Sequence, residues 1–212
     1  MVTTAKAGSQ HDRAVALLMD AFAAEVVEEV GEQNSPSPHP AGVSHDEKRE
    51  HDKIGAALGY VERGWAVFPL YWIRDGACAC GKGDCDSPGK HPRVPNGFKH
   101  ATKDEDQVRR WWERWPDANI GIRTGAVSGI FVLDIDGDTG DRSVAELQER
   151  FALLPDTKIV LTARGCHLYF VHPGRPIKNR TGVVPHVDVR GDGGYVVAPP
   201  SDHHSGAIYR WA

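Results

Sequence analysis

Three aspartates follow a run of apolar residues in the segment GIFVLDIDGDTG, which spans residues 129–140. Because side chains two positions apart in a β-strand point to the same face, Asp134 and Asp136 should project together while Ile135 turns back into the core. Two neighbouring carboxylates repel each other unless a cation lies between them, and oxygen ligands of this kind suit Mg²⁺ or Mn²⁺. A plain turn after a buried strand is the alternative interpretation. We expect Asp138 only to shape the turn.

A third acid occurs in a similar setting in the segment HVDVRGDGGYVV, residues 186–197. It places Asp188 and Arg190 on one face of a short strand, and its glycines predict a tight hairpin into the next strand. Between the two acidic segments, Gly165 could let a ligand approach the backbone and His167 opens a strand. For His167, a hydrogen-bonded residue at a strand end is the alternative. Three aspartates, one histidine and one arginine are the groups that a two-metal phosphoryl-transfer site needs.

Three of the four cysteines lie within a stretch of eight residues, inside a polar, glycine-rich loop that covers residues 75–96. With a nearby histidine they form the pattern C-x-C-x4-C-x5-H, made by Cys78, Cys80, Cys85 and His91. Thiolates and an imidazole are the ligands of tetrahedral zinc, and a closed set of four indicates a structural ion whose binding folds the loop. Ordinary reduced cysteines and a disulfide are the alternatives, and a disulfide is disfavoured in a cytoplasmic chain.

The elements that must position these residues can be predicted from periodicity and capping residues. Helices are predicted at residues 47–63, 102–115 and 143–154. The second and third begin with capping boxes, formed by Thr102 with Glu105 and by Ser143 with Glu146. Strands are predicted in the segments WAVFPL, NIGIRT, GIFVLDI, KIVLTA, HLYFVH, VDVR, YVVAP and AIYRW. Helices and strands in this mixed order predict an α/β or α+β domain whose sheet carries the chemistry.

Residues 1–45 differ from the rest of the chain and are predicted to form an appendage. Apolar residues recur at helical spacing from Ala14 to Val30, opposite an acidic face, which predicts an amphipathic helix followed by a proline- and serine-rich linker. Residues 46–212 are then the domain that carries the candidate site. No apolar run is long enough to span a membrane and no signal peptide is recognisable, so we expect a cytoplasmic protein without a membrane partner.

The formal net charge of −4 is unevenly distributed along the chain. Residues 1–50 contain nine acids and four bases, a net −5, so the remainder, with 21 bases and 20 acids, carries +1. Because the remainder also holds the candidate metal-binding acids, its other surface can be net basic, which suits a polyanionic partner. Candidates for phosphate contacts are the basic residues Lys90, Arg93, Lys99, Arg109, Arg110 and Arg123.

Several segments together give the chain a resemblance to a known family. In chain order they are ERGWAVFPL, PGKHPR, GFKHAT, NIGIRTG, VLDIDG, GCHLYF and DVRGDGGYVVAPPS, all between about residue 52 and residue 212. This part of the chain resembles the primase–polymerase (prim-pol) domain at the N-terminus of many phage and plasmid replication proteins, a branch of the archaeo-eukaryotic primase superfamily. The resemblance implies a two-part α/β module, in which an RRM-like sheet bears the metals and a smaller N-terminal part packs against it.

The resemblance also implies roles for the candidate residues. Asp134, Asp136 and Asp188 resemble the family's ligands for two catalytic Mg²⁺ or Mn²⁺ ions. His167 resembles the histidine that contacts the triphosphate of the incoming nucleotide, and Arg190 would assist it. The three cysteines and the histidine of the polar loop resemble the zinc-binding stem that some members carry.

The activity implied by the resemblance is that of a DNA primase and polymerase. Such an enzyme transfers nucleotides from NTP or dNTP to a 3′-hydroxyl, or to an initiating nucleotide, on a single-stranded DNA template. Arg123 and Gly165 are further candidate contacts to the nucleotide. Relatives are commonly joined to a helicase, so a helicase domain or protein is a further expected partner in the bacterial host. A metal-dependent nuclease and an inactive single-stranded nucleic-acid-binding module are the alternatives, since three acids and a histidine can also activate water.

Overall fold

Three α-helices form within residues 52–212, the part of the chain that the computed structural model describes. They are α1 (Lys53–Glu62), α2 (Glu105–Arg114) and α3 (Gly137–Arg150), and a short 3₁₀ helix covers Gly97–His100. The predicted N-terminal helix and linker lie outside the described residues. None of the described helices is long and apolar enough to cross a membrane.

The strands of this region form two main sheets and a small ribbon. Their bounds are β1 (Val67–Leu70), β2 (Ile73–Arg74), β3 (Ala77–Cys78), β4 (Asn119–Arg123), β5 (Ile130–Asp136), β6 (Lys158–Leu161), β7 (Gly165–Val171), β8 (Arg180–Val184), β9 (Val187–Arg190), β10 (Tyr195–Ala198) and β11 (Arg210–Trp211). The sheet orders are β1-β4-β10, β11-β6-β7-β5-β9-β8 and β2-β3. Each of these strand pairs is antiparallel. The predicted mixture of helices and strands is therefore confirmed, with antiparallel sheets.

The six-stranded sheet separates two hydrophobic cores, and β5 contributes to both. Ile130 and Val132 pack with the three-stranded sheet, α1 and α2. Phe131, Leu133 and Ile135 pack on the other side, against α3. Full burial of a large apolar side chain contributes roughly 1.5–3 kcal/mol, and a slip of one residue would exchange the two faces. Burial therefore fixes the register of β5, and with it the side on which the next residues of that face emerge.

An aspartate caps each of the first two helices. The Asp52 carboxylate accepts a hydrogen bond from the Gly55 backbone N–H at 3.0 Å, so α1 begins at Lys53, and the predicted start at residue 47 lies outside the described residues. The Asp104 carboxylate likewise accepts from the Gln107 N–H at 3.1 Å. The α2 helix therefore begins at residue 105, and the predicted capping box at Thr102 does not form. The Thr102 hydroxyl instead accepts from the Asp104 N–H.

The third helix begins immediately after β5, six residues before its predicted start at Ser143. Gly137 has a φ of +61°, which glycine adopts without strain, and it turns the chain from strand to helix in one step. Asp138 consequently lies in the first turn of α3 and does not shape a separate turn. A carboxylate there is favourable because the helix N-terminus carries partial positive charge.

The predicted hairpin between VDVR and YVVAP is also wrong. β9 pairs with β5 and β8, whereas β10 pairs with β4 of the other sheet. The glycines at residues 191, 193 and 194 therefore carry the chain from one sheet to the other. A Cβ atom at Gly191 would collide with the Ile177 carbonyl oxygen, so this position requires a residue without a side chain. One at Gly194 would meet the end of the Asn179 side chain, which can move aside. The short strands β2, β3 and β8 were not predicted.

β7 approaches β5 closely where Gly165 lies opposite Asp136. A Cβ atom at Gly165 would collide with the carbonyl oxygen of Ile135. The structure thus supplies a packing reason for this glycine, at the contact between two strand backbones.

Gly165→Ala is expected to lower the free energy of unfolding by about 1–3 kcal/mol, because the two strands must separate to accommodate the methyl group. Gly59→Ala in α1 is the matched control. Its Cβ would meet only the end of the flexible Arg63 side chain, and alanine is the better helix former, so stability should be unchanged or slightly higher. Urea denaturation measures both variants, and an unchanged midpoint for Gly165→Ala would contradict the close contact.

Candidate active site

Three of the predicted site residues lie side by side on adjacent strands. In the strand register, Asp134 of β5 pairs with His167 of β7 on one side and with Asp188 of β9 on the other. Asp136 lies two residues further along β5 on the same face as Asp134. This face begins as core with Ile130 and Val132, so the aspartates emerge where the packed layer between the sheets ends.

A cleft of about 400 Å³ opens at this point. Asp134, Asp136, His167 and Arg190 line it from the six-stranded sheet. The remaining lining comes from β10 and the residues before it, the loop before β7, the polar cysteine loop, the 3₁₀ helix and the segments near Asn179, His203 and Tyr209. Those lining residues are Ser87, Lys90, Phe98, Thr162, Ala163, Arg164, Asn179, Gly193, Gly194, Tyr195, Val196, Val197, His203 and Tyr209.

Asp134 lies largely buried between two positively charged or proton-donating neighbours. Its side chain is 21 % exposed, with His167 Nε2 at 3.4 Å from Oδ1 and Arg190 Nη2 at 3.0 Å from Oδ2. Burial raises the pKa of this carboxyl, but the hydrogen bond from His167 and the charges of His167 and Arg190 outweigh it, and they lower the pKa to about 2. Asp134 is therefore ionised throughout the pH range in which a protein normally functions.

Arg190 connects the first and third aspartates. Its Nη2 donates to Asp134 Oδ2 and also, at 2.7 Å, to Asp188 Oδ2. The other oxygen of Asp188 accepts from the Gly182 backbone N–H at 2.7 Å, and Asp188 is not among the residues that line the cleft. In this arrangement one guanidinium supplies the positive charge that two facing carboxylates need.

The three aspartates are less tightly gathered than the cysteine cluster. Within residues 52–212, the cysteine–histidine set is the one group of three or more His, Cys, Asp or Glu side chains whose ligand atoms all lie within 4.8 Å of one another. Asp136 is half exposed, with Arg164 Nη2 at 3.6 Å. Asp134 and Asp136 could still hold a cation that enters the cleft, because both residues line it and carboxylate oxygens are ligands for such ions.

A histidine that contacts a nucleotide is expected to be accessible, but His167 is buried. Its side chain is 7 % exposed, and Nε2 faces Asp134. The Nδ1 atom is buried and has no hydrogen-bond partner among the described residues. The structure thus places His167 beside both the acid and the cleft, with one ring nitrogen still free to bond.

Arg123 and Gly165 do not line the cleft. The Arg123 guanidinium lies over the ring of Phe98, 5.6 Å from its centre, and Phe98 lines the cleft. Arg123 therefore contacts the site through Phe98. Gly165 lies where the backbone of β7 makes a close contact with the backbone of β5.

Of the six basic residues proposed for phosphate contacts, Lys90 lines the cleft and the other five do not. Burial lowers the pKa of Lys90, while the charges of Asp134 and Asp136 raise it in part. Arg93 instead stacks on Tyr71 and Trp115. The other four residues that lie outside the cleft lining are Lys99, Arg109, Arg110 and Arg123.

Sequence reasoning missed several cleft residues, above all Arg164, Tyr195, His203 and Tyr209. They come from loops and from the other sheet, so no local spacing connects them to the aspartates. The polar run SDHHSG between two apolar segments was the available signal for His203. For Arg164 the signal was its position three residues before His167.

The cysteine loop gathers its four predicted ligands into one cluster that could hold a metal ion such as zinc. The ligand atoms of Cys78, Cys80, Cys85 and His91 lie within 4.8 Å of one another, and Cys78 Sγ is 3.4 Å from His91 Nε2. Zinc–sulfur and zinc–nitrogen bonds of about 2.0–2.3 Å place tetrahedral ligands roughly 3.5–4 Å apart, so the set fits such an ion. Burial, and next the charge of Lys82, lower the pKa of His91, which favours the neutral, metal-binding imidazole.

The loop is also tied to the cleft. The Tyr195 hydroxyl donates to the Lys90 carbonyl oxygen at 3.0 Å, and the Asn119 side chain donates to the Gly89 carbonyl oxygen at 2.9 Å. Lys90 directly precedes His91, the last predicted ligand. An ion in the loop would therefore help to hold Lys90 at the cleft.

Comparison with known proteins relates the chain to one protein family. A family model described as "Bifunctional DNA primase/polymerase, N-terminal" matches residues 57–212, a range that includes all the candidate site residues. No curated protein matches the chain significantly.

The purified protein is expected to contain about one zinc per chain, and Cys85→Ser should reduce this below about a third of an equivalent while lowering the melting temperature. Cys166→Ser is the matched control, because Cys166 lies on β7 outside the cluster and should leave the metal content unchanged. Elemental analysis and thermal denaturation give the two readouts. Full zinc content in Cys85→Ser would show that the cluster is not the metal site.

Proposed function

The chain belongs to the family of bifunctional DNA primase/polymerase N-terminal domains, and we propose that it makes primers and extends them on single-stranded DNA. The family implies nucleotidyltransferase chemistry. We assign the reaction to a catalytic domain of residues 46–212, with residues 1–45 as an appendage. A 3′-hydroxyl, or the first nucleotide, would attack the α-phosphate of an NTP or dNTP and release pyrophosphate.

The observation that carries this proposal is the strand register at the cleft. It aligns His167, Asp134 and Asp188 across three adjacent strands, with Asp136 beside them. The cleft also has basic groups, Lys90 and Arg164, close enough to the two lining aspartates to interact with them electrostatically. A site with both acids and bases suits a substrate that brings cations and phosphates together.

The aspartates would hold the catalytic cations. Asp134 and Asp136 lie in the cleft, and Asp188 can join them once Arg190 moves from between Asp134 and Asp188. When bound, Mg²⁺ or Mn²⁺ would activate the attacking oxygen and neutralise charge on the leaving pyrophosphate. Because Asp134 is ionised at all working pH values, it requires no deprotonation before it binds a cation.

The other cleft residues would orient the nucleotide. His167 helps to keep Asp134 ionised, so it would position the nucleotide through this carboxylate. Arg190, released from Asp188, can donate to the triphosphate in a bidentate manner. Lys90 and Arg164, which line the cleft, would supply positive charge to the phosphate groups.

Template binding would rest on phosphate contacts and weaken with salt. Exposed basic residues outside the cleft, such as Lys99 and Arg110, are the candidates for these contacts. We also propose that a helicase acts together with this domain during replication.

Asp134→Ala combined with Asp136→Ala is expected to reduce synthesis at least about 100-fold, because both cation-binding carboxylates of the cleft are lost. Asp138→Ala is the matched control, since this exposed residue lies in the first turn of α3, outside the cleft lining. Extension of a labelled primer on single-stranded DNA with Mg²⁺ or Mn²⁺ measures all three proteins. Undiminished synthesis by the double variant would refute the assignment of these acids.

Product analysis in the same assay separates the proposed activity from its rivals. Shortening of the DNA without consumption of triphosphate would identify a metal-dependent nuclease. Salt-sensitive DNA binding without any turnover would identify an inactive binding module. Lengthened products that require triphosphate are the expected result.

Arg190→Gln is expected to tighten Mn²⁺ binding at least about tenfold, because a full positive charge no longer competes with the cation for Asp134 and Asp188. Arg164→Gln is the matched control, since its guanidinium contacts the half-exposed Asp136 at 3.6 Å, where solvent screens the charge. Mn²⁺ titration followed by calorimetry reports the affinities. Equal affinities of wild type and Arg190→Gln would contradict the competition.

A further inference from the structure

His203 is a buried cleft residue to which the proposed chemistry assigns no role. It lies in the segment after β10, its residue surface is 7 % exposed, and it lines the same cleft as Asp134 and Asp136. The burial of a histidine beside a polar cleft has to be explained, because burial destabilises the charged form of its side chain.

The hydrogen bonds of His203 fix its tautomer. The Ser205 backbone N–H donates to Nδ1 at 3.2 Å, and the Ser205 hydroxyl oxygen lies 2.8 Å from the same atom. A backbone N–H can only donate, so Nδ1 is an acceptor and the ring proton is on Nε2. None of the hydrogen bonds within residues 52–212 uses Nε2. This N–H is therefore available to a ligand in the cleft.

The surroundings keep His203 neutral. Burial, and then the charges of Lys90, His204 and Arg164, lower the pKa of His203 to about 4. His203 is consequently a neutral hydrogen-bond donor at physiological pH, set among cationic side chains.

A single buried amide holds His203 and Lys90 in one arrangement. Asn119, at the start of β4, is fully buried and donates from Nδ2 to the carbonyl oxygens of Gly89 at 2.9 Å and Asp202 at 2.8 Å. Its Oδ1 accepts from the Asp202 N–H at 2.9 Å. Gly89 and Asp202 are the residues immediately before Lys90 and His203. Two loops distant in sequence are thus fixed to the same side chain.

We propose that His203 and Lys90 form a phosphate subsite for the triphosphate of the incoming nucleotide, with the Nε2–H of His203 as a neutral donor and Lys90 as the charge. Asn119 and Ser205 act as positioning residues. The subsite rests on the proposed function, because it takes the nucleotide as its ligand. A neutral donor beside an ammonium can bind phosphate oxygens without adding further repulsion among Lys90, Arg164 and Arg190.

The cleft favours the nucleotide over the DNA backbone as the source of these phosphates. Lys90 lines the same cleft as Asp134 and Asp136. Cations held by those aspartates would attract phosphate oxygens, and Lys90 and His203 line the same cleft. A triphosphate, with its closely spaced charges, suits a cleft that combines these groups.

His203→Ala is the direct test, with His203→Gln as the conservative variant, because glutamine retains a side-chain N–H donor of similar reach. His204→Ala is the matched control, since this neighbouring histidine is exposed and does not line the cleft. Binding of a non-hydrolysable dNTP analogue with Mn²⁺ and binding of single-stranded DNA are measured separately by calorimetry on the full chain, together with the melting temperature.

His203→Ala should weaken triphosphate binding about tenfold, as expected for loss of one hydrogen bond to a charged group. DNA affinity and melting temperature should stay unchanged. His203→Gln and His204→Ala should bind the triphosphate within about threefold of wild type, and Lys90→Met should show the same selective loss as His203→Ala. These results together would establish the subsite.

Wild-type triphosphate affinity in His203→Ala would overturn the subsite, while primer synthesis by the wild type would leave the proposed function intact. A loss confined to DNA binding would assign the residue to the template instead and would also overturn it. Equal losses in His203→Ala and His203→Gln with a lowered melting temperature would show a purely structural role. A wild-type chain that neither binds triphosphate nor synthesises DNA would refute the proposed function itself.

Discussion

The buried charge of Asp134 is the constraint on which the arrangement of the site depends. A carboxylate at this depth is stable only with compensating neighbours, and the strand register provides them by placing His167 on one side and the β9 pair of Asp188 and Arg190 on the other. The register is itself fixed by the apolar residues of β5, which are divided between two cores. Packing of the two layers therefore determines where the Asp134 carboxylate lies, and electrostatics determines which side chains surround this carboxylate.

The positive side of the cleft is assembled differently, from loops held by polar contacts. Asn119 fixes the segments that carry Lys90 and His203, and Lys53 supports this buried amide with a 3.0 Å hydrogen bond and reaches Asp202 at 2.6 Å. The cysteine cluster anchors the Lys90 segment at its other end. Removing a partner from such a buried network leaves unsatisfied groups, which costs more than one ordinary hydrogen bond contributes. The loops are thus held by buried polar contacts, whereas the sheet that they face is held by backbone hydrogen bonds and apolar packing.

Local patterns predicted that Asp134 and Asp136 would lie together, but did not predict most of the basic residues that line the cleft. Alternation along a strand places Asp134 and Asp136 on one face, and the spacing of thiols and imidazole predicts the cysteine cluster, because both depend on residues close in sequence. The cleft positions of Arg164 and His203 depend on how the two sheets meet. The glycines after Arg190 indicated a turn, but the crossing from one sheet to the other is set by the pairing of β10 with β4. The start of α2 was wrong because Thr102 and Asp104 competed for the cap, and the start of α3 was wrong because Gly137 begins the helix directly after β5.

The most direct test of the central claim is the anomalous scattering of Mn²⁺ in crystals of the protein grown with a non-hydrolysable nucleoside triphosphate. We expect Mn²⁺ peaks at the carboxylates of Asp134 and Asp136, the triphosphate in the cleft beside them, and the Arg190 guanidinium displaced from between Asp134 and Asp188. A triphosphate bound outside this cleft, or the absence of Mn²⁺ at Asp134 in crystals that contain the nucleotide, would contradict the assignment of the active site.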